Sequence, residues 1–347
     1  MFLEQFTHKP VIIAEAGVNH NGSCELAYRL IDAAARAGAD AIKFQTFTAE
    51  ECAGRFAATA AYQKNCAAED QFQLLKALEL PFSEFYGLKK YAEKLGLLFL
   101  STPDGTASLE LLCSLDVAVI KTGSGEVSNL PFLREIAARQ RPVILSTGMS
   151  SLGEVQKAYT ALRAGGADDI MLLHCTSEYP AAPADCNLRC IPLLRQAFAV
   201  PVGFSDHSEG HEAAVAATAI GAEIIEKHLT LDRSMTGPDH AASLDPQQFA
   251  ELVTAVRKTS VMLGDGHKSA ASGEQANLLL VRRSLVAAVD VKAGEILTAD
   301  KVAIKRPAGG IAPELLHQAI NRRVCQGLSA DEPVTWQHLG EVVQVAS

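Results

Sequence analysis

Short β-branched runs alternate with longer Ala- and Leu-rich stretches of helical period along most of this 347-residue chain. The runs fall at 11–16, 40–45, 97–102, 117–123, 143–148, 170–177, 202–207 and 224–230, eight in all. Helical candidates lie between them near 25–37, 83–95, 105–114, 129–140, 151–164, 187–197 and 211–220, with another at 246–262 after the last run. Strands buried on both faces read as continuous apolar runs, and a strand–helix alternation implies a parallel sheet. Eight such units in about 260 residues is the arithmetic of an α/β protein built as a (β/α)₈ barrel. A doubly wound open sheet is the rival. Its Gly-rich first turn is missing, because this one reads Ala16-Gly17-Val18-Asn19-His20-Asn21-Gly22.

Composition narrows the function. Hydrophobic residues make up 48% and charged residues 20%, enough for a large core. The net charge of −9 argues against a nucleic-acid binder, whose affinity rests on neutralising phosphates. An anionic small molecule remains open, since a few local lysines override the global sign. No apolar run reaches the ~18 residues of a membrane span, and the N-terminus lacks a basic and apolar leader, so we expect a cytoplasmic enzyme without a membrane partner. The eight cysteines form no CxxC pair and read as free or buried thiols. Cys186 and Cys190, four apart on a predicted helix, are read the same way.

The pattern changes after Leu263. Residues 264–273 are small and polar, and 274–280 read as a short connecting helix. From Arg282 the pieces are short and alternating. We therefore expect a catalytic barrel at 1–263, a linker at 264–281 and a small β-rich domain at 282–347. A domain of about 65 residues is near the lower limit of independent stability and is expected to lean on another surface. Within the barrel, the long stretch 48–81 carries Glu50, Glu51, Tyr62, Lys64 and Asn65, and so long a strand-to-helix loop is usually functional. Ser151-Leu152-Gly153-Glu154 reads as a capping box.

Barrel chemistry sits at the C-terminal ends of the strands. Those ends hold Glu15, Lys43, Gln45, Ser101, Thr102, Lys121, Ser124, Glu126, Ser146, His174, Ser177, Ser205, Asp206, His207, Glu226 and His228, too polar a set for a core. Lys43 and Lys121 lie inside apolar strands, where a lysine needs an anionic partner. Glu15 or Glu226 would serve internally. A phosphate or carboxylate ligand would serve functionally, helped by hydroxyls of Ser124, Ser146 and Ser205. A Schiff-base lysine is the competing chemistry. His207 and His228 end neighbouring strands and point to one divalent ion. With two such ligands, a looser octahedral Mn²⁺ or Mg²⁺ fits better than Zn²⁺. Gly237-Pro238 sets a turn that presents Asp239 over the mouth, or merely a turn aspartate. Tyr179-Pro180 offers an aromatic wall, or loop packing.

These stretches together resemble the sialic acid synthase family, the N-acetylneuraminate synthases with their legionaminic and pseudaminic acid relatives. The resemblance runs through Ile13-Ala14-Glu15-Ala16-Gly17-Val18-Asn19-His20-Asn21-Gly22, Ile42-Lys43-Phe44-Gln45, Lys121-Thr122-Gly123-Ser124-Gly125-Glu126, Ser146-Thr147-Gly148-Met149 and His174-Cys175-Thr176-Ser177-Glu178-Tyr179-Pro180. It continues through Gly203-Phe204-Ser205-Asp206-His207, Glu226-Lys227-His228, Gly237-Pro238-Asp239-His240 and Lys305-Arg306-Pro307.

The resemblance implies a (β/α)₈ TIM barrel followed by an antifreeze-protein-like (SAF-type) domain. It implies a transferase that joins phosphoenolpyruvate to an N-acylated mannosamine-type sugar with water, giving a nonulosonic (sialic) acid and phosphate. N-acetylneuraminate synthesis is the first reading. N,N'-diacetyllegionaminic acid synthesis from a 2,4-diacetamido-2,4,6-trideoxyhexose is the alternative. Implied phosphoenolpyruvate ligands are Lys43, Thr102, Lys121, Ser124, Ser146, Ser177 and Ser205. Implied metal ligands, for Mn²⁺ or Mg²⁺, are His207 and His228. Implied sugar-site residues are Gln45, Asn65, Tyr179 and Asp239, with Glu126 in support. The resemblance also implies a domain-swapped homodimer in which Arg306 of one chain reaches the acyl group in the other's barrel. For catalysis we expect Lys43, Lys121 and either Glu15 or Glu226, the glutamate orienting the water or moving its proton. Asp104 stands where the family usually has Phe, and Gly309-Gly310 where Gly-Asn-Gly is common, so acceptor specificity is the part the motifs leave open.

Three other readings compete. A barrel making a sugar-acid phosphate needs a basic cluster for the acceptor phosphate, and none is placed for it. A metal-dependent hydrolase needs more His and Asp ligands. A non-catalytic sugar-binding protein has no use for paired lysines and histidines.

Overall fold

A computed structural model describes residues 2–6, 10–54 and 70–343. The chain divides into two compact units, Met1–Asp265 and Gly266–Ser347.

The first unit is a barrel of eight parallel strands: β1 (Val11–Gly17), β2 (Ala41–Thr46), β3 (Leu98–Pro103), β4 (Ile120–Thr122), β5 (Val143–Ser146), β6 (Ile170–Cys175), β7 (Val202–Asp206) and β8 (Ile224–His228). Their order is β3-β2-β1-β8-β7-β6-β5-β4, so β1 pairs with β8 and the sheet curls almost to closure. The helices between them are α1 (Cys24–Ala37), α2 (Glu84–Lys94), α3 (Thr106–Ser114), α4 (Leu130–Ala137), α5 (Leu152–Ala164), α6 (Cys190–Phe198) and α7 (Glu212–Ala219), and α8 (Pro246–Leu263) follows β8. Each expected strand and helix is present.

Strands β4 to β8 end earlier than their apolar runs, whereas β1, β2 and β3 end one residue later. The run 170–177 stops as a strand at Cys175, and 224–230 stops at His228. Beyond His228 the chain still touches its neighbours, Leu229 N donating to Glu15 O (2.8 Å) and Leu229 bridging Leu244. β4 keeps only three residues of its run. The stretch 48–81 is not structureless in its described part, since Ala49–Cys52 and Gln71–Leu78 are short helices. Asn65, Tyr62 and Lys64 lie outside the described residues. The Ser151 capping box forms, with both reciprocal bonds to Glu154 present. Cys186 does not share a helix with Cys190: it follows a 3₁₀ turn at Pro183–Asp185, and α6 begins at Cys190 itself. Asn187 has positive φ there, which interrupts the helical path.

Two apolar layers build the barrel. One face of each strand packs on the helices through residues such as Ile12, Ile42, Phe99, Leu145, Leu172, Phe204 and Ile225. The opposite face fills the interior with Ile13, Leu100, Val119, Ile144, Met171, Leu173 and Ile224, closed at the base by Phe2 and Leu3. Because side chains alternate along a strand, the next inward position above that apolar plug is at the mouth. Among the described residues no helix is long and apolar enough to cross a membrane.

The second unit is β-rich. β9 (Ser284–Ala287) pairs antiparallel with β11 (Val302–Lys305), and β10 (Ile296–Leu297), β12 (Arg322–Val324) and β13 (Leu339–Val342) form a three-stranded sheet. Its core holds Leu285, Leu297, Ile311, Val324, Val334 and Leu339. In the same unit, ahead of β9, Gln275–Val281 form a short helix.

Candidate active site

The inward positions at the mouth alternate with the plug. Ile13 is followed inward by Glu15, Leu100 by Thr102, Val119 by Lys121, Ile144 by Ser146 and Ile224 by Glu226 and then His228. These side chains, with Lys43, Gln45, Ser124, Tyr179, Ser205 and His207, line one cavity of about 150 Å³.

The two lysines that line the cavity share two carboxylates. Lys43 Nζ is 2.8 Å from Glu15 Oε2 and 3.8 Å from Glu226 Oε2, while Lys121 Nζ is 3.6 Å from Glu226 Oε1. Lys43 also donates to Thr102 Oγ1 (3.2 Å) and Lys121 to Ser146 Oγ (2.7 Å). Ser205 Oγ donates to Glu226 Oε1 at 2.8 Å. Burial pushes the Glu15 carboxyl up, and Lys43 only partly opposes it. Burial acts on Glu226 in the same direction, but Lys121, Lys43 and the Ser205 hydroxyl together pull it below the usual carboxylate range. Burial would lower Lys43, yet Glu15 and Glu226 outweigh it and hold the ammonium charged. That charge disfavours Schiff-base chemistry at Lys43, which requires a neutral amine.

A second cradle surrounds Gly148. Its amide donates to Ser124 Oγ at 2.9 Å, and Ser124 Oγ lies 3.2 Å from Cys175 Sγ. A Cβ at Gly148 would come within 2.3 Å of Ser177 Oγ and 2.9 Å of both Ser124 Oγ and Cys175 Sγ. Only glycine lets the backbone N–H approach this hydroxyl cluster so closely.

The histidines stand on the other side. Their rings are 5.6 Å apart, and Tyr179 packs 4.2 Å from His207 and 5.5 Å from His228. A carbonyl can only accept, so His207 Nδ1 donates to Thr176 O (2.6 Å), which leaves Nε2 as the lone-pair atom. Burial keeps both rings below their ordinary pKa and hence neutral. His228 Nδ1 is buried without a hydrogen-bond partner. Two neutral imidazoles, one with an orphaned nitrogen, fit a shared divalent ion. Among the described residues no group of three or more His, Cys, Asp or Glu is gathered for a metal. The remaining positions would fall to water or substrate oxygen, which suits Mn²⁺ or Mg²⁺. Asp239 Oδ2 lies 3.8 Å from His228 Nδ1, and burial raises that carboxyl to about 6.

Some strand-end residues point elsewhere. Ser101 bonds Thr46, His174 Nε2 donates to Cys186 O (2.8 Å), and Asp206 pairs with Lys227 at 2.9 Å. All three are one residue out of phase with the inward face. Cys175 takes the inward position on β6 and lines the cavity, a role we did not read from the sequence. Alternation from Leu173 was the available signal. Glu126, bonded by Asn129 Nδ2 (2.7 Å), lines an adjoining cavity of about 500 Å³ with Glu51, Asp104 and Glu135. Arg306 is exposed at the end of β11 in the second unit.

Asp104 borders both cavities. Burial, reinforced by Glu126, pushes its carboxyl up to about 7. A carboxyl raised in the fold favours the folded state below its unfolded pKa, and this contribution is lost as pH rises through about 7. Asp104→Asn is therefore expected to raise the unfolding midpoint more at pH 8 than at pH 5. Equal shifts at both pH values, measured by thermal melts, would show that the carboxyl is not held protonated.

Residues 30–268 match the NeuB family and residues 282–340 the SAF domain. An N,N'-diacetyllegionaminic acid synthase of Campylobacter jejuni is 44% identical over 328 residues, covering 93% of this chain and 98% of that one. The enzyme of the same description from Legionella pneumophila is 41% identical, covering 94% of each. The crystal structure of an N-acetylneuraminic acid (sialic acid) synthetase from Leptospira borgpetersenii, in complex with citrate, superposes with a TM-score of 0.70 at 37% identity. It covers 78% of this chain and 90% of that one.

Proposed function

This chain belongs to the NeuB family, and from that premise we propose that it condenses phosphoenolpyruvate with an N-acyl hexosamine and water to give a nonulosonic acid and phosphate. The carrying observation is the pairing of two buried lysines with two carboxylates beside two neutral histidines in one small cavity. A doubly anionic substrate is what such lysines would hold in place of the glutamates.

In this reading Lys43, Lys121, Thr102, Ser146 and Ser205 take the carboxylate and phosphate, with Ser124, Ser177 and the Gly148 amide adding donors. His207 and His228 would hold a divalent ion, Mn²⁺ or Mg²⁺, which when bound supplies Lewis acidity toward the acceptor's aldehyde oxygen. The acceptor's carbonyl carbon is attacked by C3 of phosphoenolpyruvate, and cationic charge develops at C2. Water adds there, and phosphate departs with its bridging oxygen. Glu15, raised toward neutrality, is the better proton carrier for that water. Glu226, held ionised between the lysines, fixes their positions. Gln45, Tyr179 and Asp239 face the acceptor, with Asn65 and Glu126 assigned there by resemblance.

The acceptor has two readings. An N-acylmannosamine is the first. Identity of 44% and 41% to legionaminic acid synthases favours the second, a 2,4-diacetamido-2,4,6-trideoxyhexose. Phosphate release from phosphoenolpyruvate with Mn²⁺ and each sugar in turn tests both. Sugar-dependent release with one of them is expected, and release with neither removes the assignment.

We also infer the assembly: a homodimer in which residues 282–347 of one chain cap the partner's barrel and supply Arg306. The small size of that segment supports this, as does the resemblance. Arg306→Ala and His228→Ala chains are each expected to be inactive. Mixed dimers should regain about one site in two, because one barrel keeps its histidines and receives an intact arginine. If mixing restores nothing, the arginine acts in its own chain.

A further inference from the structure

The turn after β1, Asn19-His20-Asn21, has no part in the chemistry above, yet it is bonded heavily to the segment after β8. Asn19, buried, donates through Nδ2 to Leu229 O (2.9 Å) and to Ser243 Oγ (2.8 Å). Ser243 Oγ in turn donates to the Asp239 carbonyl at 2.6 Å. Asn21 Nδ2 donates to Thr236 O at 2.9 Å, which turns its Oδ1 toward His240 Nε2 at 3.1 Å. An amide oxygen can only accept, so His240 carries its proton on Nε2. Its Nδ1 then accepts from the Thr230 hydroxyl at 2.7 Å. The packing is close: a Cβ at Gly237 would lie 2.8 Å from Asn21 Oδ1 and 2.6 Å from His240 Cδ2. Every one of these bonds flanks Asp239, from Leu229 and Thr230 before it to His240 and Ser243 after it.

We infer that Asn19, Asn21 and His240 are positioning residues that clamp the β8 segment onto the β1 turn, so that Asp239 is held over the cavity for the acceptor sugar. This rests on the proposed contact of Asp239 with that sugar. Without the clamp the turn keeps its chain path but Asp239 loses its fixed height above the histidines. The acceptor then suffers, while phosphoenolpyruvate, bound by other strands, does not.

Asn21 is the test position. It has φ 49°, so Asn21→Gly keeps the left-handed backbone and deletes both side-chain bonds. Asn21→Asp keeps an acceptor for His240 Nε2–H and loses only the bond to Thr236. Steady-state kinetics with Mn²⁺, phosphoenolpyruvate and whichever of N-acetylmannosamine or 2,4-diacetamido-2,4,6-trideoxymannose releases phosphate faster would be run on both variants. They would also be run on Asp239→Ala and on Asn21→Gly combined with Asp239→Ala. Asn21→Gly is expected to raise the acceptor KM about ten-fold with the phosphoenolpyruvate KM changed less than about two-fold, and Asn21→Asp to recover part of the loss. In the Asp239→Ala background, Asn21→Gly should add less than about two-fold. Full additivity, or parallel rises in both KM values, would overturn the clamp. If Asp239→Ala raises the acceptor KM and Asn21→Gly is silent, the clamp fails alone. If Asp239→Ala is itself silent, the sugar assignment of Asp239 fails and the clamp with it.

Discussion

Replacing His228 with alanine is expected to abolish turnover while the barrel stays folded. His228 is the last residue of β8, its backbone pairing with Glu15 of β1, and its buried ring Nδ1 has no hydrogen-bond partner to lose. Nothing in the apolar plug depends on it. The site depends on it twice over, as one of the two imidazoles that line the cavity among the described residues and as the edge against which Tyr179 packs. Removal of an outer partner of a metal ligand already costs roughly 10–100-fold, so loss of a ligand should exceed about a hundred-fold. Excess chelator should have the same effect on the unaltered protein, with Mn²⁺ or Mg²⁺ restoring activity. Mn²⁺ binding, followed by titration calorimetry, should be weakened in the variant. Full activity in excess chelator would remove the metal from the account.

Lys121→Ala is expected to be the next most damaging change. The side chain is 2% exposed and held by Ser146 Oγ, Thr122 O and Glu226. Its loss would leave Glu226 with Lys43 alone, and would leave a substrate anion unpaired in a partly dry cavity. Truncating one partner of a buried charge pair costs about 2–5 kcal/mol, which is roughly thirty-fold to a few thousand-fold in affinity. Lys121→Arg should rescue poorly, because a planar fork does not occupy the place of a compact ammonium. The measurement is phosphoenolpyruvate affinity by titration. A structure with the substrate bound and both lysines beyond about 6 Å of it would refute the clamp, since unit charges gain little across that distance near water.

The barrel was legible because fully buried strands and amphipathic helices differ in length and residue type, and eight repeats leave few alternatives. The polar strand ends were legible for the same reason: a lysine such as Lys43 inside Ala41-Ile42-Lys43-Phe44 stands out against its neighbours. Which strand-end residues face inward was not legible. Strands buried on both faces carry no apolar–polar alternation, so Asp206 and His207, or His174 and Cys175, look alike until the phase of each strand is known. The phase is set by the interior plug, with Leu173 and Ile224 inward, and this places Cys175, His207 and His228 at the cavity and His174 and Asp206 behind it. Loop residues were harder still. The path from Leu229 to Ser243 is fixed by bonds to Asn19 and Asn21, more than 200 positions away in sequence, and no local pattern encodes that contact.

The central claim is that water meets C2 of phosphoenolpyruvate and phosphate leaves with the bridging oxygen. Phosphoenolpyruvate labelled with heavy oxygen at that bridging position, turned over with Mn²⁺ and the active acceptor, decides it by mass spectrometry of both products. The account predicts the label in inorganic phosphate and none in the nonulosonic acid. Label retained in the organic product, or phosphate released with pyruvate and no sugar incorporated, would contradict it.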